Sequence, residues 1–354
     1  MSEHSDVRVG IVGLGNIGRL HAERLRSAGA TIAGGIDIDE AARDRFGREY
    51  GVTTYEDHHD LFESVDAVHV TTPNRFHETY AVDALEAGLD VLLEKPLANT
   101  LEGAERIAAA ANDAAGFCIV GFHTRFENDV EVLTRYREDG DFGDLSHVEA
   151  SYIRRRGIPG RGSWFTDSEV AGGGALIDIG VHALDLSLYL LGYPDVEEVS
   201  GVTRSQFGGD EDYTYIDMWG DDRGPENFDV EDSTTALVRC AGNRTVALEV
   251  AWAVNRPSKQ EYVLRGTQKG ATYNRGTGTL TVHETSGRGA GHMADSMVET
   301  AENDAHADEI EYFLDHVAAG EAPDRNTVEQ GLTVQRILDA IYRSSETGRA
   351  VDLT

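Results

Sequence analysis

Only three of the 31 basic residues are lysines, Lys95, Lys259 and Lys269. Lys95 ends the apolar run Val91-Leu92-Leu93-Glu94-Lys95-Pro96. An ε-ammonium is a compact charge whose pKa moves on burial, whereas a guanidinium stays protonated. Lys95 is therefore a candidate for proton chemistry, with a plain strand-end lysine as the alternative. A second set lies in the stretch that begins Gly172-Gly173-Gly174-Ala175. From Ala175 to Leu191 most positions are apolar on every side, which predicts a buried helix. On it Asp178, His182 and Asp185 fall at i, i+4 and i+7 and share one face. Buried ionisable groups are costly unless paired or functional. Asp178 and His182 can hydrogen-bond one another, which would set the imidazole tautomer and raise its basicity. The same spacing suits a polar pair that only fixes helix packing. Two further metal ligands are not evident, so no metal is assigned.

The third set is Gly13-Leu14-Gly15-Asn16-Ile17-Gly18, a G-x-G-x-x-G between a predicted strand and a predicted helix. Gly13 permits a tight turn, Gly15 lets backbone approach a pyrophosphate, and Gly18 allows close helix–strand packing. Asn16 and Ile17 open the helix, whose free N–H groups and dipole favour phosphate. Asp37 closes the next predicted strand, where an acid hydrogen-bonds ribose hydroxyls and repels a 2′-phosphate. The cofactor expected is NAD, with NADP disfavoured.

The elements that must position these residues change character along the chain. Up to about residue 122, strand and helix signals alternate, the mark of βαβ units and a parallel sheet. Strands are expected at Val7–Val12, Thr31–Ile36, Ala67–Thr71, Val91–Leu93 and Phe117–Phe122. Helices are expected at Asn16–Ala28 with Ile17, Leu20 and Leu25 inward, at Asp39–Tyr50 and Arg75–Ala87, and at Thr100–Ala114. Beyond that, His147–Ile153, Thr235–Cys240, Thr245–Trp252, Gln260–Leu264 and Thr279–His283 alternate between Gly and Asn turns, which predicts a largely antiparallel sheet. Late helices follow at His306–Ala318 and Val328–Ser345. Tyr213–Val230 reads as an acidic surface excursion, and Gly276–Met297, rich in Gly and Ser, as mobile. The fold class is α/β: a Rossmann domain over residues 1–124, then an α+β domain over 125–354 whose last helices can pack back on the first.

The net charge of −32 repels nucleic acid and anionic lipid. Acid spread over the whole chain, with few lysines, resembles the surfaces of halophile proteins. Molar salt shortens the screening length to ~3 Å, so a melting temperature that rises from dilute buffer to molar salt is expected. No apolar run reaches the ~20 residues of a bilayer span. Met1–Asp6 lacks the basic and apolar regions of a signal peptide, so a cytoplasmic location is expected. Cys118 and Cys240 read as buried thiols rather than a disulfide.

Taken together the motifs resemble the Gfo/Idh/MocA oxidoreductase family, the relatives of glucose–fructose oxidoreductase and inositol dehydrogenase. The matching features are Gly13–Gly18, Thr72-Pro73-Asn74 with His77, Glu94-Lys95-Pro96, Gly173-Gly174 with Asp178 and His182, and the late helix around Ile337–Ser344. The resemblance covers nearly the whole chain. It implies that a nicotinamide bound by the first domain faces the second domain's sheet, with a substrate CH–OH between them. His182 would take the hydroxyl proton, Lys95 would hydrogen-bond the same oxygen, and Asp178 would orient His182. Thr72, Asn74, His77, Glu94 and Lys95 would contact or position the cofactor. His123 and Arg125 follow the last Rossmann strand, where the family lines its site.

The substrate class the resemblance implies is a sugar, a sugar derivative or a cyclitol. Tyr152–Trp164 is the one dense basic cluster, set just before the helix of Asp178 and His182. Its Arg156 could hold an anionic group bidentately, and Trp164 could stack on a sugar face or on nicotinamide. Subunit contacts through surface acids are the alternative use of these arginines. A homo-oligomer through the second sheet is expected, because exposed sheet faces tend to be covered. The competing functions are a hydrolase or epimerase that retains NAD and cycles its redox state, and a non-catalytic NAD-binding regulator.

Overall fold

The computed structural model describes residues 4–216 and 218–354. The signal-peptide reading falls partly on residues 1–3, and the acidic excursion contains Asp217; both lie outside the described residues. The chain forms two compact units, residues 1–126 with 304–335, and residues 127–303 with 336–354.

In the first unit, β1 (Arg8–Val12), β2 (Thr31–Ile36), β3 (Thr53–Tyr55), β4 (Ala67–Val70), β5 (Asp90–Leu93) and β6 (Cys118–Val120) form a parallel sheet in the order β3-β2-β1-β4-β5-β6. This is the dinucleotide-binding order, with its switch point beside β1. The linking helices are α1 (Asn16–Ser27), α2 (Glu40–Tyr50), α3 (His58–Phe62), α4 (His77–Glu86) and α5 (Leu101–Asp113). Three of these starts are capped by a side chain: Asp39 accepts from Ala41 N–H, Asp57 accepts from His59 N–H, and Thr100 accepts from Gly103 N–H at 3.1 Å. The unit's core joins Val9, Ile11 and Leu25 to Ile310, Phe313 and Leu314 of a later helix, Ala305–Ala319.

One expectation for α1 is corrected. Ile17 and Leu20 are 50% and 43% exposed, and the buried face is Gly18, His21, Ala22 and Leu25. Gly18 sets that face: a Cβ there would stand 2.0 Å from the Gly13 carbonyl oxygen, so the helix must turn residue 18 inward. The apolar residues on either side of it then face out.

The second unit carries α6 (Asn128–Glu138), β7 (His147–Ile153), α7 (Ser168–Ala171), a π turn (Leu176–Gly180), α8 (Val181–Leu190) and β8 (Val196–Arg204). There follow β9 (Ser233–Cys240), β10 (Arg244–Ala251), β11 (Lys259–Arg265), β12 (Lys269–Asn274), β13 (Thr279–Ser286) and β14 (His292–Val298). Late in the chain come α9 (Ala305–Ala319), grouped with the first unit, α10 (Val328–Thr347), whose residues belong to both, and β15 (Val351–Asp352). The sheet runs β14-β13-β12-β11-β7-β10-β9-β8-β15, antiparallel except for the β7–β10 pair. One face is apolar, through Val148, Val238, Val246 and Leu264, and α8 packs on β7 and β10.

Three further expectations change here. Gly276–Met297 is ordered into the β13–β14 hairpin. It escaped detection because every residue of β14 before Val298 is exposed, so no apolar period marks it. The helix of Asp178 begins as a π turn rather than an α turn, which shifts the facing of residues four apart. Ser168–Leu190 does have the length and mean hydropathy of a bilayer span, but 83% of its apolar window is buried inside the protein.

Candidate active site

The Gly13–Gly18 turn is held by protein on two of its three glycine flanks. Gly13 has φ +97°, and its Cβ would meet the backbone of Thr71 and Thr72 at 3.0 Å. Gly18 is pressed on Gly13 as above. Gly15 differs: a Cβ there meets nothing within 4 Å. Its lack of a side chain therefore answers to no protein neighbour, and it leaves room for a ligand's backbone-close approach. Gly15 caps α1 without a side-chain bond, and no acid occupies the first turn of α1, in a chain with 63 acids. Exposed Gly15, Asn16 and Ile17 thus present main-chain N–H groups to an anion. Asp37 joins the same loop: its carboxylate accepts from Leu14 N–H at 2.7 Å and from Asp39 N–H at 2.9 Å. These features fit an NAD pyrophosphate and adenosine ribose.

Beyond β4 and β5 the unit fixes its other cofactor-side candidates through one buried histidine. His77 has ring nitrogens 2.9 Å from the Pro96 carbonyl and 2.9 Å from the Thr72 carbonyl. Burial pushes its pKa down. The ring straps Thr72-Pro73-Asn74 to Lys95-Pro96, so its service to the cofactor is positional. Asn74 is buried beside it, and the Thr72 hydroxyl is buried without a hydrogen-bond partner. Lys95 is half-buried after β5, and the Lys95–Pro96 peptide is cis. Glu94 accepts from His21 Nε2 at 2.9 Å. Burial pushes the Glu94 carboxyl up, but the His21 hydrogen bond and the neighbouring His21, His69 and Lys95 outweigh it and hold the group well below the usual range.

His123 stacks on His306 with centroids 3.6 Å apart. Arg125 is fully buried, donating to Gln330 and lying over the Phe122 ring. These two expected substrate contacts are tied into the first unit's own packing.

In the second unit the Asp178 carboxylate accepts from the Trp252 indole Nε1 at 2.9 Å and lies 3.5 Å from Arg154 Nη1. His182 is buried on α8, one turn onward. Asp185, also buried, accepts from the Tyr193 hydroxyl at 2.6 Å. The start of the π turn is fixed by Glu231, whose carboxylate accepts from Gly174 N–H at 2.9 Å and Leu176 N–H at 2.8 Å. A Cβ on Gly174 would lie 2.0 Å from the Glu231 carbonyl oxygen, which explains that glycine.

Trp252, Arg154 and Glu231 were not singled out by sequence. Trp252 had a signal: it continues the inward alternation Val246, Leu248, Val250 off the end of β10. Of the arginine cluster it is Arg154 that reaches Asp178. Arg156 donates to the Arg155 and Val254 carbonyls and to Asn255 Oδ1, and packs over Phe207. Trp164 stacks on Phe165 at 3.7 Å, and Phe165 meets Trp219 edge-on at 4.4 Å, giving an aromatic surface.

Comparison with known proteins matches this architecture. Residues 7–122 match the model of an oxidoreductase family with an NAD-binding Rossmann fold, GFO/IDH/MocA, and residues 130–272 match that family's C-terminal domain. The chain is 30% identical to a D-glucoside 3-dehydrogenase of Escherichia coli over 99% of its own length and 98% of the relative's. It is 30% identical to a scyllo-inositol 2-dehydrogenase (NAD+) of Bacillus subtilis over 66% of its length and 69% of the relative's. A levoglucosan dehydrogenase solved with NADH superposes with a TM-score of 0.85 over 98% of this chain and 99% of that one; at 22% identity this is likeness of fold.

Proposed function

The chain belongs to the GFO/IDH/MocA oxidoreductase family, and from that membership we infer that it is an NAD-dependent dehydrogenase oxidising a hydroxyl of a sugar, sugar derivative or cyclitol. The observation that carries this reading is the Gly13–Gly18 cradle, open at Gly15 and joined to Asp37, in a chain whose Asp178 carboxylate is fixed by the Trp252 indole. Near full-length similarity to a D-glucoside 3-dehydrogenase makes glucosides the first substrates to test.

The cradle amides and Asp37 bind the dinucleotide, and Thr72, Asn74 and Glu94 position it, with His77 bracing the first two. NAD, when bound, accepts the hydride. His182 takes the hydroxyl proton as general base. Lys95 donates to the same oxygen and favours its developing charge. Asp178, held by Trp252 and Arg154, orients His182. Trp164 with Phe165 and Trp219 offers a face for sugar C–H groups. His123, Arg125 and Arg156 contribute by holding the surfaces around the substrate, since their own polar or ring groups are engaged by protein.

The protein works as a homo-oligomer in the cytoplasm, on this reading. Strand register puts Ser200, Leu237, Ala247, Glu149, Val263, Thr272, Thr281 and Met297 in one row across the open sheet face, with exposed Val202 two residues along β8 on the same face. A partly apolar sheet face of that extent is a surface for a second copy. Sedimentation of the full chain against Leu237→Glu tests it, a monomeric wild type being the adverse result.

The test of function is an absorbance screen for NADH with glucosides, free sugars, sugar acids and inositols at molar salt. Turnover on a glucoside is expected. NAD binding with no NADH from any of these compounds would favour internal redox cycling or a regulator.

A further inference from the structure

In the first unit, two buried histidines with no part in the chemistry above meet Glu94, assigned above to the cofactor side. His21 on α1, His69 on β4 and Glu94 after β5 each offer one ligand atom, and these atoms lie within 4.8 Å of one another. His21 Nε2 and Glu94 Oε1 are 2.9 Å apart, and the His21 and His69 rings are centred 4.4 Å apart. The two histidines are 2% and 1% exposed. Both nitrogens of His69 are buried without a hydrogen-bond partner, as is Nδ1 of His21. Val68 and Val70 flank His69 on β4, and an aliphatic side chain there would carry no unmet polar atoms. Burying an imidazole with neither nitrogen satisfied is unfavourable, so the placement needs another cause.

We propose that His21, His69 and Glu94 form a site for a divalent transition-metal ion of the Zn2+ type. Two imidazoles and one carboxylate make a donor set that zinc uses with a further position open. Nitrogen and oxygen ligands at about 2.0–2.2 Å from a tetrahedral ion stand roughly 3.3–3.5 Å apart, so the cluster needs only small side-chain shifts. Neutral imidazole and ionised carboxylate are the ligating forms. His306, whose ring centre is 5.6 Å from His21, is a further nitrogen donor close by for the open position. The three ligands come from the helix after the glycine cradle, the strand before Thr72-Pro73-Asn74 and the strand before Lys95. The ion therefore ties together the segments that face the cofactor. Its ligands lie on three separate elements, which is why spacing in the sequence does not announce it.

The full-length protein, stripped with EDTA and desalted, is loaded with Zn2+ at molar KCl, passed through gel filtration and assayed for metal. Retention of about one equivalent is expected, with a raised melting temperature, as for any ligand that binds only the folded state. Loading with Co2+ should give the visible absorption of a tetrahedral N/O site in the wild type, a readout that needs no variant. H69L should lose the retained ion and the thermal shift. H59Q, at the exposed Asp57-His58-His59 cluster, should keep both. A wild type that retains no zinc and shows no cobalt spectrum, or a folded H69L that still retains zinc, overturns the proposal. None of these readouts depends on dehydrogenase activity.

Discussion

The glycine cradle of the first unit and the Asp178 helix of the second are held by opposite means. The cradle is main chain on main chain at its glycines, Gly13 against Thr71 and Thr72 and Gly18 against Gly13, with one side chain, Asp37, accepting from Leu14 N–H. The helix is held by side chains far away in sequence: Trp252, 74 residues on, for Asp178, and Glu231, 57 residues on, for Gly174. A site of the first kind should tolerate side-chain exchange but not an added Cβ. A site of the second kind should feel the loss of a single donor atom.

The largest expected effects come from the groups assigned to proton transfer, one set in each unit. Lys95→Ala and His182→Ala should each lower kcat by ~100-fold or more, the range for losing acid–base help. NAD affinity, measured by fluorescence titration, should stay within about twofold for both, since neither removes a cradle contact. If Lys95→Ala lost NAD instead, Lys95 would belong with the cradle and the comparison would have to be redrawn. Near-normal turnover in either variant would remove that residue from the chemistry.

Gly18→Ala strikes the backbone-held site. Its Cβ would fall 2.0 Å from the Gly13 carbonyl oxygen and 2.7 Å from Thr71 Oγ1. Overpacking of this kind costs ~1–3 kcal/mol, so NAD affinity should fall by about tenfold or more. Gly15→Ala, in contrast, leaves the apo fold unstrained, and its melting temperature without NAD should match wild type. Lowered stability in Gly15→Ala would mean that the open flank is closed by protein.

The same contrast governs what the sequence revealed. The parallel sheet, the cradle and Asp37 were legible because their determinants are contiguous: a strand, a hexapeptide of glycines, a helix start. The buried face of α1 was misread because apolar Ile17 and Leu20 suggested it, while the close packing of Gly18 decided it. In the second unit the types and order of Asp178 and His182 were visible. Their π-turn setting and the Trp252 indole were not, because those depend on a strand pairing that brings β10 under the helix. Arg154 and Arg156 are two residues apart in a basic cluster, and only the direction of the chain after β7 selects Arg154 for Asp178.

Trp252→Phe tests the side-chain-held site: it removes the indole N–H and also part of a fully buried ring, and that packing loss is read separately as a lower melting temperature. A hydrogen bond to a charged group contributes ~1.5–3 kcal/mol, of which a part should reach the transition state. Kcat should fall by about three- to tenfold with the KM for NAD unchanged. The pH–rate profile should shift as well, because the carboxylate that orients His182 has lost a donor; a purely structural role would lower stability and leave that profile in place.

The smallest effect is chemical labelling, and each unit carries its own reporter. Cys118 on β6 and Cys240 on β9 are free and buried. Burial pushes the Cys240 thiol up to about 11 and the Cys118 thiol higher still. Only the thiolate reacts, so at pH 8 about one Cys240 in a thousand is reactive and Cys118 fewer. A disulfide reagent should therefore label the folded protein slowly. Cys240 should label first, since it ends β9 beside the turn at Gly242 and Asn243, where a hairpin frays. Cys118 sits under the backbone bond from Val120 N–H to Asn326, which covers the sheet edge at β6. Mass spectrometry of partly labelled protein gives the order directly. Cys118 labelling before Cys240 would show that the Rossmann edge, and not the β9–β10 hairpin, is the looser part of the fold.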